Sequence, residues 1–124
     1  MPSPRVLVVD DDPFVLKVVA QALSGQGYEV QAVIHPLLAL ELVKRTSCFD
    51  LVVTDFCMPE MDGSELVRRI APLCPRAAVV LMSGYIVGGA VPQKAQFLPK
   101  PFKMKELYAV VANALGQRPI EKTP

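Results

Sequence analysis

Three unbroken apolar runs stop abruptly at polar side chains. Val6-Leu7-Val8-Val9 ends at Asp10-Asp11-Asp12, Asp50-Leu51-Val52-Val53-Thr54 ends at Asp55, and Ala77 to Met82 ends at Ser83-Gly84. Runs of this kind, rich in β-branched residues, predict strands buried on both faces. Tyr28 to Val33 is different: Tyr28, Val30 and Ala32 alternate with Glu29 and Gln31, the pattern of a strand with one wet face. Phe97-Leu98 is a short last strand that runs into Pro99-Lys100-Pro101.

Between the runs the apolar period lengthens to that of a helix. Asp12-Pro13 predicts a helix start, Asp12 as cap and Pro13 in the first turn. Val15, Val19, Ala22 and Leu23 follow at helical spacing, and Gly25 and Gly27 end the helix. His35-Pro36 opens a second helix carrying Leu40 and Val43. Met58-Pro59-Glu60-Met61-Asp62-Gly63 is a loop, after which Asp62 and Glu65 have capping-box spacing for a third helix bearing Leu66 and Ile70. Met104, Leu107, Val111, Ala114 and Leu115 predict a last helix that stops at Gly116. Strands and helices thus alternate about five times, which predicts an α/β domain with a parallel sheet and helices on both faces. Ligands of such sheets bind at the carboxyl ends of the strands, where strand order reverses. The polar residues that end the strands are therefore the candidates for chemistry.

Composition narrows the picture. A chain of 124 residues suits one domain, and 52% hydrophobic with 20% charged residues is enough for a core. Thirteen Lys and Arg against 12 Asp and Glu gives no pull toward nucleic acid or an anionic membrane. No apolar run reaches the ~20 residues of a membrane span, and the N-terminus is not expected to be a signal peptide. Cys48, Cys57 and Cys74 have no metal-ligand spacing and are expected to be free thiols in a reducing cytoplasm.

Asp10, Asp11, Asp55, Ser83 and Lys100 all sit at strand ends. If the fold gathers them, the carboxylates repel one another and call for a cation. Magnesium suits: it takes oxygen ligands, keeps waters and bridges to phosphate. A carboxylate can accept a phosphoryl group as an acyl phosphate, with a lysine and a hydroxyl neutralising and orienting the phosphoryl oxygens.

On these residues the chain resembles the receiver domain of response regulators and hybrid histidine kinases. The matching stretches are Val6 to Pro13, Asp50 to Asp55 with Met58 to Gly63, Val80 to Tyr85, and Phe97 to Phe102, in family order, over residues 5 to about 116. The resemblance implies a doubly wound five-stranded parallel sheet of flavodoxin-like order 2-1-3-4-5, a receiver domain over 5–116, and flexible ends at 1–4 and 117–124. It implies that Asp55 accepts a phosphoryl group from a histidine kinase or histidine phosphotransfer protein. Asp11 is then a direct Mg2+ ligand, Asp10 acts mainly through water, and Asp55 and the Cys57 backbone carbonyl complete the set. Ser83 and Lys100 contact the phosphoryl oxygens, Phe97 is the aromatic switch, and Lys100-Pro101 is a cis bond. The expected function is a cytoplasmic phosphorelay switch that catalyses its own phosphorylation and dephosphorylation and is not a conventional enzyme. It carries no output domain in this chain, does not bind nucleic acid or insert into a membrane, and signals to a downstream protein the sequence does not name.

Other residues have plainer readings. Asp12 is a helix cap, and His35 is a cap or surface residue rather than a base. Met58, Met61, Met82 and Met104 are loop packing and core filler. Leu37 and Leu38 are either extra packing under a loop or a partner contact. The span Gly84 to Pro92, with Gly88-Gly89 and Pro92, predicts a short or irregular fourth helix, closer to receivers of hybrid kinases than to those of DNA-binding regulators. Two other functions remain as alternatives. One is a Mg2+-dependent phosphohydrolase with an aspartyl nucleophile, although Cys57 stands where such enzymes carry a second acid. The other is a degenerate receiver that acts as a scaffold.

Overall fold

A computed structural model describes residues 3–46, 48–84 and 95–117. Strands β1 (Arg5–Val9), β2 (Glu29–Val33), β3 (Leu51–Asp55), β4 (Ala78–Ser83) and β5 (Gln96–Pro99) alternate with helices α1 (Pro13–Gly25), α2 (Pro36–Arg45) and α3 (Gly63–Ile70), and α4 (Met104–Gln117) follows β5. All strand pairs are parallel, and the sheet order is β2-β1-β3-β4-β5, as expected.

The alternation within each buried strand divides the core in two. Val6 and Val8 of β1, Leu51 and Val53 of β3, and Val80 and Met82 of β4 face α1 and α4, meeting Val19, Leu23, Leu107, Val111 and Ala114. Leu7, Val9 and Val52 point the other way, toward Ala39, Leu40 and Val43 of α2 and Leu66 and Ile70 of α3. Each such Val or Leu contributes about 1.5–3 kcal/mol by leaving water, so a register slip that inverted one central strand would be prohibitive. β2 lies at the sheet's edge and is largely exposed, which accounts for its polar alternation.

The helix starts follow the sequence signals. Asp12 Oδ1 accepts from Phe14 N–H at 2.9 Å, His35 Nδ1 from Leu37 N–H at 3.1 Å, and Asp62 Oδ1 from Glu65 N–H at 2.8 Å. The expected capping box at α3 differs in one half. Glu65 turns its carboxylate to Arg68 (2.7 Å) and Arg69 (2.9 Å), one helical turn on. Two cations three and four residues ahead hold it there. α1 ends as predicted, with Gly27 at φ 94° just beyond it. Leu37 and Leu38 are about half exposed, at 47% and 52%. Residues 85–92, where a short or irregular helix is expected, lie outside the described residues, as do the ends 1–2 and 118–124. No helix among the described residues is long and apolar enough to cross a membrane.

Candidate functional site

The sheet register alone brings the strand ends together. Val9 pairs with Thr54 across β1 and β3, so the next residues, Asp10 and Asp55, stand side by side. β1 and β3 lie where strand order reverses, with the chain leaving them toward opposite faces. Asp55 pairs with Met82 and Ser83 with Pro99, which sets Ser83 and Lys100 along the same rim. Lys100 N–H donates to the Ser83 carbonyl at 2.7 Å and fixes the end of β5 against β4. The Lys100–Pro101 peptide bond is cis.

Asp10, Asp11 and Asp55 each offer a carboxylate oxygen, and these oxygens lie within 4.8 Å of one another. Asp10 is fully buried, Asp55 nearly so, and Asp11 is exposed. The Lys100 ammonium reaches across the gap, 2.9 Å from Asp55 Oδ1 and 3.2 Å from Asp10 Oδ2. Asp10 Oδ1 accepts from Asp12 N–H at 2.9 Å, so the helix cap and the carboxylate cluster share one turn.

One ammonium among three carboxylates leaves the pocket short of positive charge by two. Burial raises the Asp10 carboxyl above its ordinary 3.8, and the Asp12 N–H and Lys100 only partly pull it back. Burial raises Asp55 as well, with Lys100 opposing and the charges of Asp10 and Asp11 adding to the rise. Burial works to lower Lys100, but the hydrogen bond to Asp55 and the charges of Asp10 and Asp55 outweigh it and hold the ammonium above its ordinary 10.5. The cation gains from its shared partners while each carboxylate receives only part of one charge. A hard divalent ion fits the deficit in both charge and donor type: clustered carboxylate oxygens with an exposed side open to water.

The loop after β3 is tied back at both ends. Phe56 N–H donates to the Met82 carbonyl at 2.8 Å, and Gly63 N–H donates back to the Phe56 carbonyl at 2.7 Å. Cys57 is exposed on this loop, two residues from Asp55, while Met58 and Met61 tuck into the core below it. At Gly63 a Cβ would overlap the Asp55 carbonyl oxygen and lie 3.0 Å from Phe56 Cα. Only glycine lets the start of α3 press this closely on the strand end. The sequence carries a signal for it, a glycine in a helix's first turn where better helix formers exist, but the turn chemistry of the loop alone also accounts for a glycine there. Phe97 lies on β5, 36% exposed, three residues before Lys100. Cys48, Cys57 and Cys74 are free.

Sequence reasoning missed one contact altogether. His35 caps α2, as expected, but its Nε2 also lies 2.8 Å from Glu60 Oε2 on the loop after β3. Nothing local marks a contact between residues so far apart in the chain.

Comparison with known proteins gives relatives of the same fold. The DNA-binding transcriptional regulator NtrC of a Bradyrhizobium species is 35% identical over 94% of the chain, which spans 25% of that protein's length. Among solved structures, a response regulator receiver protein from Sinorhizobium medicae superposes with a TM-score of 0.87 at 26% identity, covering 94% of this chain and 98% of that one. The receiver domain of the hybrid histidine kinase CckA gives 0.79 at 32% identity, covering 90% and 98%. With residues 6–112 matched by the model of the response regulator receiver domain, and with the acidic strand ends assembled on the expected five-stranded sheet, the chain belongs to the response regulator receiver domain family.

Proposed function

We propose that this receiver domain is a Mg2+-dependent switch in a phosphorelay and that Asp55 is its phosphoryl acceptor. The observation that carries the reading is the placement of Asp55. Its carboxylate ends a central strand, stands within 4.8 Å of two other carboxylates, and is held at 2.9 Å by the Lys100 ammonium. Asp10, Asp11, Asp55 and the Cys57 carbonyl would hold the ion. Bound there, Mg2+ supplies the charge that offsets the carboxylate cluster and the phosphoryl oxygens.

The chain's own groups do the rest. A carboxylate oxygen of Asp55 attacks phosphorus of a phosphohistidine, the P–N bond breaks, the imidazole leaves with its electron pair and takes up a proton, and an acyl phosphate remains. Lys100 follows the charge from the free carboxylate to a phosphoryl oxygen, and the Ser83 hydroxyl donates to another. Drawing Ser83 toward the phosphate opens space beside β4 into which Phe97, now partly exposed on β5, moves. That shift favours one of two arrangements and is what a downstream protein reads. The donor is a histidine kinase or histidine phosphotransfer protein. An apolar groove beside Lys100, lined by Phe14, Val15, Val18, Pro101 and Phe102, offers such a donor a docking face next to the acceptor. Phe14, at 74% exposure, is the most exposed large apolar side chain described.

The test is labelling. With Mg2+ and a small phosphoramidate donor, or with a phosphorylated histidine phosphotransfer protein, the chain should take up one base-labile, acid-stable phosphate, and Asp55→Asn none. Equal labelling of Asp55→Asn would sink the assignment. A phosphohydrolase would instead release many phosphates per chain, and a scaffold would take up none.

A further inference from the structure

The loop between β3 and α3 holds a strained residue at its apex. Glu60 has φ 72°, and Met61 N–H donates to the Pro59 carbonyl at 2.8 Å across it, which makes a tight γ-turn centred on a glutamate. A non-glycine residue in the left-handed region of such a turn persists only where its surroundings hold it. Below the apex, Met58 and Met61 are buried and anchor the loop to the core. Above it, Glu60 itself is exposed, and the contact that reaches its carboxylate comes from His35 at 2.8 Å.

The two ring nitrogens of His35 have separate partners. Nδ1 accepts from Leu37 N–H, so in the neutral ring Nε2 carries the hydrogen and donates it to Glu60 Oε2. One imidazole therefore joins the N-terminus of α2 to the apex of the loop. That loop begins at Asp55 and carries Cys57 three residues before the apex.

We propose that the His35–Glu60 pair is a positioning strut that holds the phosphorylation loop in its γ-turn and so sets the geometry of the Cys57 carbonyl beside Asp55. The proposal rests on the reading of Asp55 and Cys57 given above. His35 and Glu60 touch no phosphoryl group, so both are positioning residues.

His35→Asn separates the strut from the cap. Asparagine is among the best N-cap residues and keeps the bond to Leu37 N–H, but its shorter side chain ends short of Glu60. Glu60→Ala removes the strut from the other side, and Glu60→Gln keeps an acceptor for Nε2–H while removing the charge. Mg2+ affinity by calorimetry and the phosphoramidate labelling rate would be measured for each, with urea unfolding alongside. His35→Asn and Glu60→Ala should each weaken Mg2+ binding and slow labelling by about threefold to tenfold, the size expected of one lost hydrogen bond of this kind. The double variant should be no worse than either single one, Glu60→Gln should stay near wild type, and the urea midpoint of His35→Asn should fall no further than that of Glu60→Ala, since the cap is kept. Wild-type behaviour in His35→Asn, or additive losses in the double variant, overturns the strut. Glu60→Gln as impaired as Glu60→Ala would show that charge, not the hydrogen bond, matters, and overturns it too. If wild type neither binds Mg2+ nor takes up phosphate, the underlying reading fails first and the strut with it.

Discussion

Replacing Lys100 with methionine removes the charge and keeps the length of the side chain. The Lys100 side chain is 24% exposed, and its ammonium lies 2.9 Å from Asp55 and 3.2 Å from Asp10, whose side chains are 10% and 0% exposed. At an effective dielectric constant of about 20, each contact is worth about 5 kcal/mol before the cost of desolvating the ammonium is subtracted. Breaking buried pairs from one side typically costs about 3–5 kcal/mol, because the partners stay behind uncompensated. Here the carboxyls can take up protons in place of the lost cation, which places the expected loss near the lower end, about 3 kcal/mol at pH 7 without metal. With a urea m-value of about 2 kcal/mol/M, the midpoint falls by about 1.5 M. The pH dependence follows from the carboxyl groups. Both are raised above 3.8 in the folded protein, and in Lys100→Met they rise further, so the variant binds protons more readily when folded than unfolded. Its deficit relative to wild type should therefore shrink as pH falls from 7 toward 4. Millimolar Mg2+ should stabilise Lys100→Met more than wild type, since its pocket carries one more uncompensated charge. Urea unfolding of both proteins at pH 4 and 7, with and without Mg2+, measures all of this. A loss that is the same at both pH values, or that ignores Mg2+, would refute the electrostatic reasoning and leave Lys100 as a packing residue.

The same charge deficit gives further expectations. In metal-free wild type, ionising Asp10 and Asp55 costs stability that is lost as pH rises from 3.8 through their raised values, whereas the raised Lys100 contributes stability present below 10.5 and lost only above it. Asp55→Asn should then raise metal-free stability at pH 7 while abolishing labelling, and a destabilised variant would contradict the burial argument. Gly63→Ala forces a Cβ against the Asp55 carbonyl and should cost about 2 kcal/mol in urea unfolding and weaken Mg2+ binding; full retention of both would mean that the start of α3 can retreat freely. Asp11 and Asp12 should part company: Asp12→Ala loses the cap of α1, about 1 kcal/mol, with Mg2+ affinity little changed, while Asp11→Asn leaves stability nearly unchanged and loses the metal.

The sheet was legible because its central strands are buried on both faces. Apart from Arg5 and Thr54, β1, β3 and β4 are apolar up to their carboxyl ends, so each run had to end where the sheet ends, and the polar side chain there marks the rim. Asp10, Asp55 and Ser83 are therefore placed by the apolar residues before them rather than by any motif of their own. β2 was readable for the opposite reason: it is the edge, and its wet face shows as alternation. What the sequence could not grade was the difference between neighbours. Asp10 and Asp11 look alike in the chain, yet one is fully buried and hydrogen-bonded to the turn and the other exposed, a distinction set by how the chain turns after β1. Glu65 had the right spacing for a capping box, but Arg68 and Arg69 compete for it on the helix surface.

The contacts that escaped sequence reasoning share a cause. His35 and Glu60 each had a sufficient local role, as a cap and as a loop residue, so neither asked for a distant partner. Gly63 likewise satisfied the turn chemistry of its own segment. Local sufficiency hides tertiary function wherever a residue's second contact lies on another element, and the loop over Asp55 is built from such residues. Its lower side is fixed by Met58 and Met61 in the core, its end by Gly63 against the strand, and its apex by His35. A carboxylate cluster by itself only repels. In the proposed reading a cation joins the cluster, and a loop held at fixed points would confine where that cation and the phosphoryl oxygens sit. The place of the candidate site was therefore readable from its strand ends, whereas the contacts that fix the loop beside it come from side chains whose partners the chain order conceals.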